Sequence, residues 1–489
     1  MPAHNTSGHA SEVVVRGGTL VDETGERRGD VLVKDGRIVA VEETIEAPKG
    51  AVVLDAAGCI VSPGLVDLHA HLREPGGEIA ETVESGSRAA ALGGYTALVA
   101  MPNTEPAIDS GAVARDVLSL GADALAEIAV AGSITVGRRG EKLAPMAELA
   151  ALGVRLFTDD GRGVQNGGLM RRALEYASGL GVVLAEHCED LQLAAGGHMN
   201  EGPWSSRLGI AGQPVLAEEL MLARDIALVR LTGAPMHFLH LSTAGSVELV
   251  RAAKADGLAV TAEVTPHHLV LSDAAVQGYN PVFKVNPPLR SASDVAAVRA
   301  GLASGVIDAV ATDHAPHAPE RKEEPFDEAP PGMLGLETAF AVAYGALCPS
   351  NGRVAGGGPG GSGPGGSGAD SGWVPPEEDP PMSLRDLIGA FSWKPARIAG
   401  LFAEANGGLG GGFGGGLRGS LRGGQGGPIR PGAVAHLTVF DPSAEWVVDA
   451  ARQASRSRNT PYAGRRLTGK VRHTVLAGEV VVLDGEAQR

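Results

Sequence analysis

Apolar positions fall into three regimes along the chain. Residues 12–62 alternate short β-rich runs with turns, VVVRGGTLVD, GDVLVKDGRIVAV and AVVLDAAGCIVSPG, and the two apolar runs of VLVKDGRIVAV, joined at Asp35-Gly36, predict a hairpin. From residue 63 to about 347 short Val/Ala/Leu runs alternate with helix-length amphipathic segments. The runs are GLVDLHAHL, TALVAMPN, EIAVAGSIT, VRLFTDDG, VVLAEHCED, MHFLHLS, AVTAEVTPHH and VIDAVATDHAPH, eight in all. Between them lie ETVESGSRAAALG, LMRRALEYASGLG, VLAEELMLARDIALVRLTG and SVELVRAAKADG, predicted helices that each end near a glycine. Eight strand–helix repeats predict an α/β chain with a (β/α)8 TIM barrel.

The chain closes on β-rich runs, AVAHLTVFDP, VVDA and GKVRHTVLAGEVVVLDG. Neither end alone has enough strands for independent stability, so the two are expected to form one small β-sandwich domain with the barrel inserted between its halves. The expected boundaries are 1–62 and 432–489 for the halves of the β domain and 63–404 for the barrel. Within the barrel, 349–382 reads as a Gly/Pro/Ser-rich flexible insertion, and 405–431 reads as a Gly-rich linker. The insertion lacks the GK[ST] ending of a phosphate loop. SLRDLIGAFSWKPARIAGLF is expected to resume the outer helical layer.

Composition narrows the class. Of 489 residues 44% are hydrophobic and only 4% aromatic, which predicts an Ala/Gly/Val-built interior. No apolar run approaches the roughly 18 residues that span a bilayer, and no secretory signal is recognisable, so a cytoplasmic protein is expected. Cys59, Cys188 and Cys348 lack CxxC spacing, which argues against a disulfide framework or a Cys-type zinc site. The net charge of −16 disfavours nucleic acid and anionic membrane as partners.

In a barrel of this kind, chemistry sits where strands end and βα loops begin. His69 and His71 end the first run, Asn103 follows the second, and Asp159 and Asp160 end the fourth. His187 ends the fifth, His240 the sixth, and Asp313 with His314 and His317 the eighth. His69, His71, Asp160, His187, His240 and Asp313 form a nitrogen and oxygen set of the kind zinc prefers. Six ligands exceed what one tetrahedral zinc uses and suit two metals about 3.5–4 Å apart with a bridging carboxylate.

The motifs SPGLVDLHAHLREPG, GGYTALVAMPNT, FTDDG, AEHCED, AEVTPHHL, KVNPPLR and ATDHAPH together resemble the amidohydrolase superfamily, and within it the bacterial zinc-dependent dihydroorotases. The resemblance covers about residues 12–345 and 382–486. It implies two Zn2+ per subunit, the first held by His69 and His71, the second by His187 and His240, with Asp160 bridging and Asp313 both a ligand and the general acid/base. The family's second aspartate in FTDDG favours Asp160 over Asp159 as the bridge. The implied substrate residues are Arg73, Asn103, Asn286 and His317, with backbone at Pro331 and Gly332. The implied reaction is the reversible cyclisation of N-carbamoyl-L-aspartate to (S)-dihydroorotate and water in pyrimidine biosynthesis, a metal-bound hydroxide attacking in the hydrolytic direction.

The alternative cyclic amidohydrolases, allantoinases and dihydropyrimidinases (hydantoinases), generally bridge their metals with a carboxylated lysine. None stands near the end of the fourth run here, where Arg155, Leu156, Phe157 and Thr158 precede the aspartates. Arg73 disfavours those readings too, since a guanidinium grips the carboxylate that dihydroorotate has and the neutral rings lack. An inactive dihydroorotase-like partner of aspartate transcarbamoylase is the reading from another class, and it is expected to have lost ligands. A homodimer and an association with aspartate transcarbamoylase stay open. His267 and His268 are expected to be structural or to support ligands, and His314 to point away from the metals. His436 stands where similar chains lead one to expect an acid.

Overall fold

The computed structural model describes residues 12–348, 372–375, 382–402 and 423–489. Most of the expected insertion 349–382, and residues 405–422 of the expected linker, lie outside the described residues.

Five strands open the chain: β1 (Val13–Asp22), β2 (Gly25–Lys34), β3 (Arg37–Glu42), β4 (Val52–Asp55) and β5 (Ile60–Pro63). The predicted hairpin is the β2–β3 turn, where Asp35 and Gly36 both take the left-handed conformation that a type I′ turn requires, at φ 50° and 78°. β1 changes partner half-way. Its first half pairs in parallel with β4 and its second with β5, and the switch falls at a bulge where Gly17 has φ 76°.

Eight parallel strands follow the eight apolar runs. They are β6 (Leu65–Ala70), β7 (Tyr95–Ala100), β8 (Glu127–Val130), β9 (Leu156–Phe157), β10 (Val183–Glu186), and, after a separate two-stranded ladder of β11 (Met199–Asn200) with β12 (Gly212–Gln213), β13 (Met236–Phe238), β14 (Val260–Val264) and β15 (Ala309–Val310). β6–β8 form one parallel sheet and β9, β10 and β13–β15 another. Backbone bridges Gly132–Phe157 and Ala70–His314 connect the two sheets at both edges.

Neighbouring residues of these strands enter different apolar clusters. Leu98, Ile128, Phe157, Leu184 and Val310 pack with helix residues such as Leu174, Leu222 and Val298. Val66, Leu68, Ala97, Ala129, Ala185, Leu239 and Ala309 pack with one another and with Ala396 and Leu401. Strands buried on both faces read as continuous apolar runs, which is why alternation gave way after residue 63. The helices Gly167–Leu180 and Leu216–Thr232 stop at the predicted glycines, Gly181 and Gly233, which are left-handed at φ 65° and 70°. No helix among the described residues is long and apolar enough to cross a membrane.

The structure corrects one expectation and sharpens two others. The segment 383–402 is two helices, Leu384–Phe391 and Trp393–Ile398, because Pro395 has no N–H for the carbonyl of Phe391. Ser392 at the break donates from Oγ to Gly64 O, 2.8 Å away. Residues 423–431, read as the end of a linker, are built into the fold: Gln425 is fully buried, hydrogen-bonded to Thr96 Oγ1 and Glu127 Oε2, and Ile429 packs in the core of the β unit. Finally, β16 (Leu437–Val447), β17 (Arg466–Leu476), β18 (Glu479–Leu483) and β19 (Glu486–Ala487) join the N-terminal strands in one β domain, as expected. β5 pairs with β1 on one side and β16 on the other, so both chain ends share one nine-stranded sheet around the cluster of Val15, Leu20, Val61, Leu437 and Val475. His436 is buried beside this junction, accepting from Ala477 N–H at Nδ1 with Gly423 O 3.1 Å from Nε2.

Candidate metal centre

The strand ends bring six predicted side chains to one place. His69 lies in β6 and His71 just beyond it, Asp160 follows β9, His187 follows β10, His240 follows β13 and Asp313 follows β15. All six are at most 5% exposed. Arg73, His240 and Asp313 have positive φ, 60°, 31° and 45°, a conformation that costs of order 1–3 kcal/mol per residue and persists where the surroundings impose it.

The side chains form two groups of three, His69–His71–Asp160 and Asp160–His187–His240, which share one carboxylate. Asp160 Oδ1 is 3.5 Å from His69 Nε2 and 3.6 Å from both His187 Nδ1 and His240 Nε2, while Oδ2 is 3.6 Å from His71 Nε2. Asp313 Oδ1 stands 3.0 Å from His71 Nε2 and 3.5 Å from His69 Nε2. Asp159 is elsewhere: Oδ1 accepts from the N–H groups of Ile134 and Thr135, and Oδ2 from the Thr135 hydroxyl.

A metal pair fits these donors. His69 Nε2 is buried without a hydrogen-bond partner, and His187 Nδ1 faces His240 Nε2 at 2.9 Å, where two lone pairs need a proton or a cation between them. Burial pushes the carboxyls of Asp160 and Asp313 up, but the imidazoles facing them outweigh it and hold both below the usual range. Burial opposes protonation of His69 and His187 too, yet the carboxylates raise both, His187 to about 10. The cluster draws positive charge.

Outer partners aim the rings. His69 Nδ1 donates to Glu263 Oε1 at 2.9 Å, and Glu263 Oε2 accepts from His237 Nε2 at 3.0 Å. His71 Nδ1 donates to Asn103 Oδ1 at 2.9 Å. Each bond places the ring proton on Nδ1 and leaves Nε2 to face Asp160. His187 Nε2 meets Glu189 Oε2 at 3.0 Å, and Arg138 donates to the Asp160 carbonyl. Asp67 in β6 accepts from Thr312 N–H at 2.9 Å and from its hydroxyl, which fixes the residue before Asp313. Glu263, His237, Glu189 and Asp67 escaped sequence reading. The available signal was an acid inside an apolar strand run, LVDLH for Asp67 and AVTAEV for Glu263, since a buried carboxylate needs a partner. Replacing Glu263 by Gln is expected to weaken metal binding by about 10–100-fold in a chelator competition, with activity recovering at saturating metal. Unchanged affinity would count against the support role.

Arg73 is half-buried, and burial lowers its pKa to about 10, leaving it charged at neutral pH. Its only side-chain hydrogen bond among the described residues runs from Nε to Pro316 O, 3.1 Å, and neither terminal nitrogen is hydrogen-bonded. Asn286 Nδ2 donates to Glu189 Oε2 at 3.0 Å and lies 3.4 Å from His187 Nε2. His317 Nε2 donates to Pro331 O at 2.8 Å, and burial and Arg73 lower its pKa to about 3, so the ring is neutral. A Cβ on Gly332, at φ 147°, would lie 2.7 Å from His317 Nε2. His314 points away from the cluster to Glu81 Oε2, 3.1 Å. His268 is bound to Thr265 Oγ1 and Pro287 O, while His267 Nε2 is buried without a partner and burial lowers its pKa to about 4.

Residues 58–246 match the family described as Dihydro-orotase-like. A dihydroorotase of Anaeromyxobacter dehalogenans is 44% identical over 480 residues, 97% of this chain and 99% of that one. One of Pelotomaculum thermopropionicum is 44% identical over 475 residues, with the same shares covered. Among solved structures, an L-hydantoinase (dihydropyrimidinase) from Arthrobacter aurescens aligns with a TM-score of 0.77 at 24% identity over 98% of both chains. A dihydropyrimidinase from Brevibacillus agri gives 0.74 at 21% identity, over 98% of this chain and 96% of that one. At such identities the likeness concerns the fold alone, whereas identity near one-half along almost the full length of both chains is kinship: this chain belongs to the dihydroorotase family.

Proposed function

We propose that this protein interconverts N-carbamoyl-L-aspartate and L-dihydroorotate, the ring-closing step of pyrimidine synthesis. The observation that carries the reading is the pair of ligand groups sharing Asp160, with Arg73 two residues beyond His71 and neither of its terminal nitrogens hydrogen-bonded among the described residues. The two parallel sheets are read as one closed eight-stranded barrel, supported by the bridges Gly132–Phe157 and Ala70–His314, with the site at its carboxyl-end mouth. The domain reading keeps 63–404 as the barrel and assigns 1–62 and 432–489 to the β domain.

His69 and His71 would hold one zinc and His187 and His240 the other, with Asp160 shared between the two groups and Asp313 completing the set. Two bound zinc ions would acidify a water and polarise the ring carbonyl. In the hydrolytic direction a bond forms from water oxygen to the carbonyl carbon and the ring C–N bond breaks. Asp313, ionised at neutral pH, takes the proton from the attacking water and delivers it to the departing nitrogen, which leaves as the ureido NH2. The carbonyl carbon becomes the side-chain carboxylate of carbamoyl-aspartate. Arg73 and Asn103 bind the carboxylate that the ring retains, while Asn286, His317 and the backbone at Pro331 and Gly332 hold the opposite edge.

The test is turnover of dihydroorotate, dihydrouracil and allantoin by purified, zinc-restored protein, with and without added aspartate transcarbamoylase. Dihydroorotate alone is the expected substrate. Turnover of dihydrouracil without dihydroorotate would overturn the assignment, and absence of any turnover with zinc bound would favour a non-catalytic partner. Arg73→Met is expected to raise KM for dihydroorotate by about 100-fold through loss of a bidentate, charge-assisted pair, and Arg73→Lys by about tenfold. Equal KM values in all three proteins would remove Arg73 from the pocket.

A further inference from the structure

The reaction just described leaves Lys322 unused, although it lies beside the substrate residues. It ends the short 3-10 helix Pro319–Lys322, on the segment that carries Asp313 and His317. Its side chain is buried, and its ammonium donates to three backbone carbonyls, Pro281 O at 2.9 Å, Lys284 O at 3.2 Å and Pro330 O at 2.7 Å. An ammonium has three N–H donors, so the set is complete.

Two loops meet at that nitrogen. The first, 281–287, carries Asn286, whose amide reaches Glu189 and His187. The second, 329–333, carries Pro331, whose carbonyl accepts from His317, and Gly332. Among the described residues a single backbone hydrogen bond joins these loops directly, Gly332 N–H to Lys284 O at 2.9 Å, and it ends on a carbonyl that Lys322 also holds. Burial and neighbouring Lys284 lower the pKa of Lys322 to about 7. The three carbonyl dipoles act in the other direction and favour the charged form.

We propose that Lys322 is a positioning residue that clamps the loop of Asn286 against the loop of Pro331 and Gly332 and so sets the width of the pocket opposite the metal ligands. The inference rests on the assignment of those three residues to substrate binding; the clamp itself does not. Without the ammonium, Pro330 O loses its donor, Pro281 O and Lys284 O keep only the backbone N–H groups of Lys284 and Gly332, and the loops lose their common anchor. His69, His71 and Asp313 are held by other groups, Glu263, Asn103 and Asp67 with Thr312, and His187 keeps Glu189 as its own partner. Loosening the clamp therefore acts on binding and spares the proton transfer.

The experiment compares the zinc-loaded full-length protein with K322M, which keeps the apolar stem without donors, and K322R, which keeps charge without the three-way geometry. Steady-state kinetics on dihydroorotate are read with amide hydrogen exchange of the unliganded proteins. K322M is expected to raise KM about tenfold with kcat within about twofold, and K322R to raise KM about threefold. Faster exchange should be confined to 281–287 and 329–333. Faster exchange with unchanged KM, a fall in kcat without a change in KM, or exchange spread through the whole barrel would each overturn the proposal. Should K322M not fold, K322R decides: wild-type KM and exchange would overturn it. If the wild-type protein does not turn over dihydroorotate, the proposed function fails, while the clamp stands or falls on whether exchange in those two loops rises.

Discussion

Asp313→Asn is expected to lower kcat on dihydroorotate by about 10³-fold, within the range that a positioned acid–base group supplies. The substitution keeps the shape of the side chain and removes its ability to take a proton. Asparagine also tolerates the left-handed backbone that Asp313 adopts at φ 45°, so the fold is not strained further. Metal content should fall only in part. Asp313 stands beside His69 and His71, but both groups of three that share Asp160 are complete without it. Rate and zinc content measured on one preparation separate the two roles. A near-normal kcat would show that Asp313 is not the base, and loss of all zinc would show that its place in the cluster is structural first.

Strand ends were legible in the sequence because the buried parallel strands are short apolar runs and their polar termini stand out against them. His69, His71, Asp160, His187, His240 and Asp313 are spread from residue 69 to residue 313, and counting the eight runs, with the motifs at their ends, predicted that they meet. Lys322 was not legible, because what makes it matter is three backbone carbonyls from two loops distant in sequence. Gln425 was hidden by composition: glycines surround it, yet its amide fills a polar gap between Thr96 and Glu127. The helix break at Ser392 was readable from Pro395, whose missing N–H outweighs the helical periodicity around it. The one-sheet β domain turned on β5, a four-residue strand whose pairing on both edges no local pattern announces.

The adjacent aspartates give the other large effect, because they separate by role. On the proposed two-metal reading, Asp160→Asn is expected to reduce bound zinc from two per chain to one or fewer and to abolish measurable turnover, a loss of at least about 10⁴-fold. The reason is that one carboxylate serves both groups, Oδ1 facing His69, His187 and His240 and Oδ2 facing His71. Without it, each side keeps two imidazoles and loses the charge that offsets a dication. Asp159→Asn should behave differently. Asp159 is buried against Ile134 and Thr135, and weakening those bonds costs stability, of order 1–3 kcal/mol, visible as a lower Tm. Its zinc content should stay at the wild-type value, because its carboxylate is turned from the imidazoles toward the loop after β8. Zinc stoichiometry and Tm, measured on both variants, make the contrast decisive: if Asp159→Asn loses zinc while Asp160→Asn keeps it, the bridge is the first aspartate and the geometry described for the cluster is wrong.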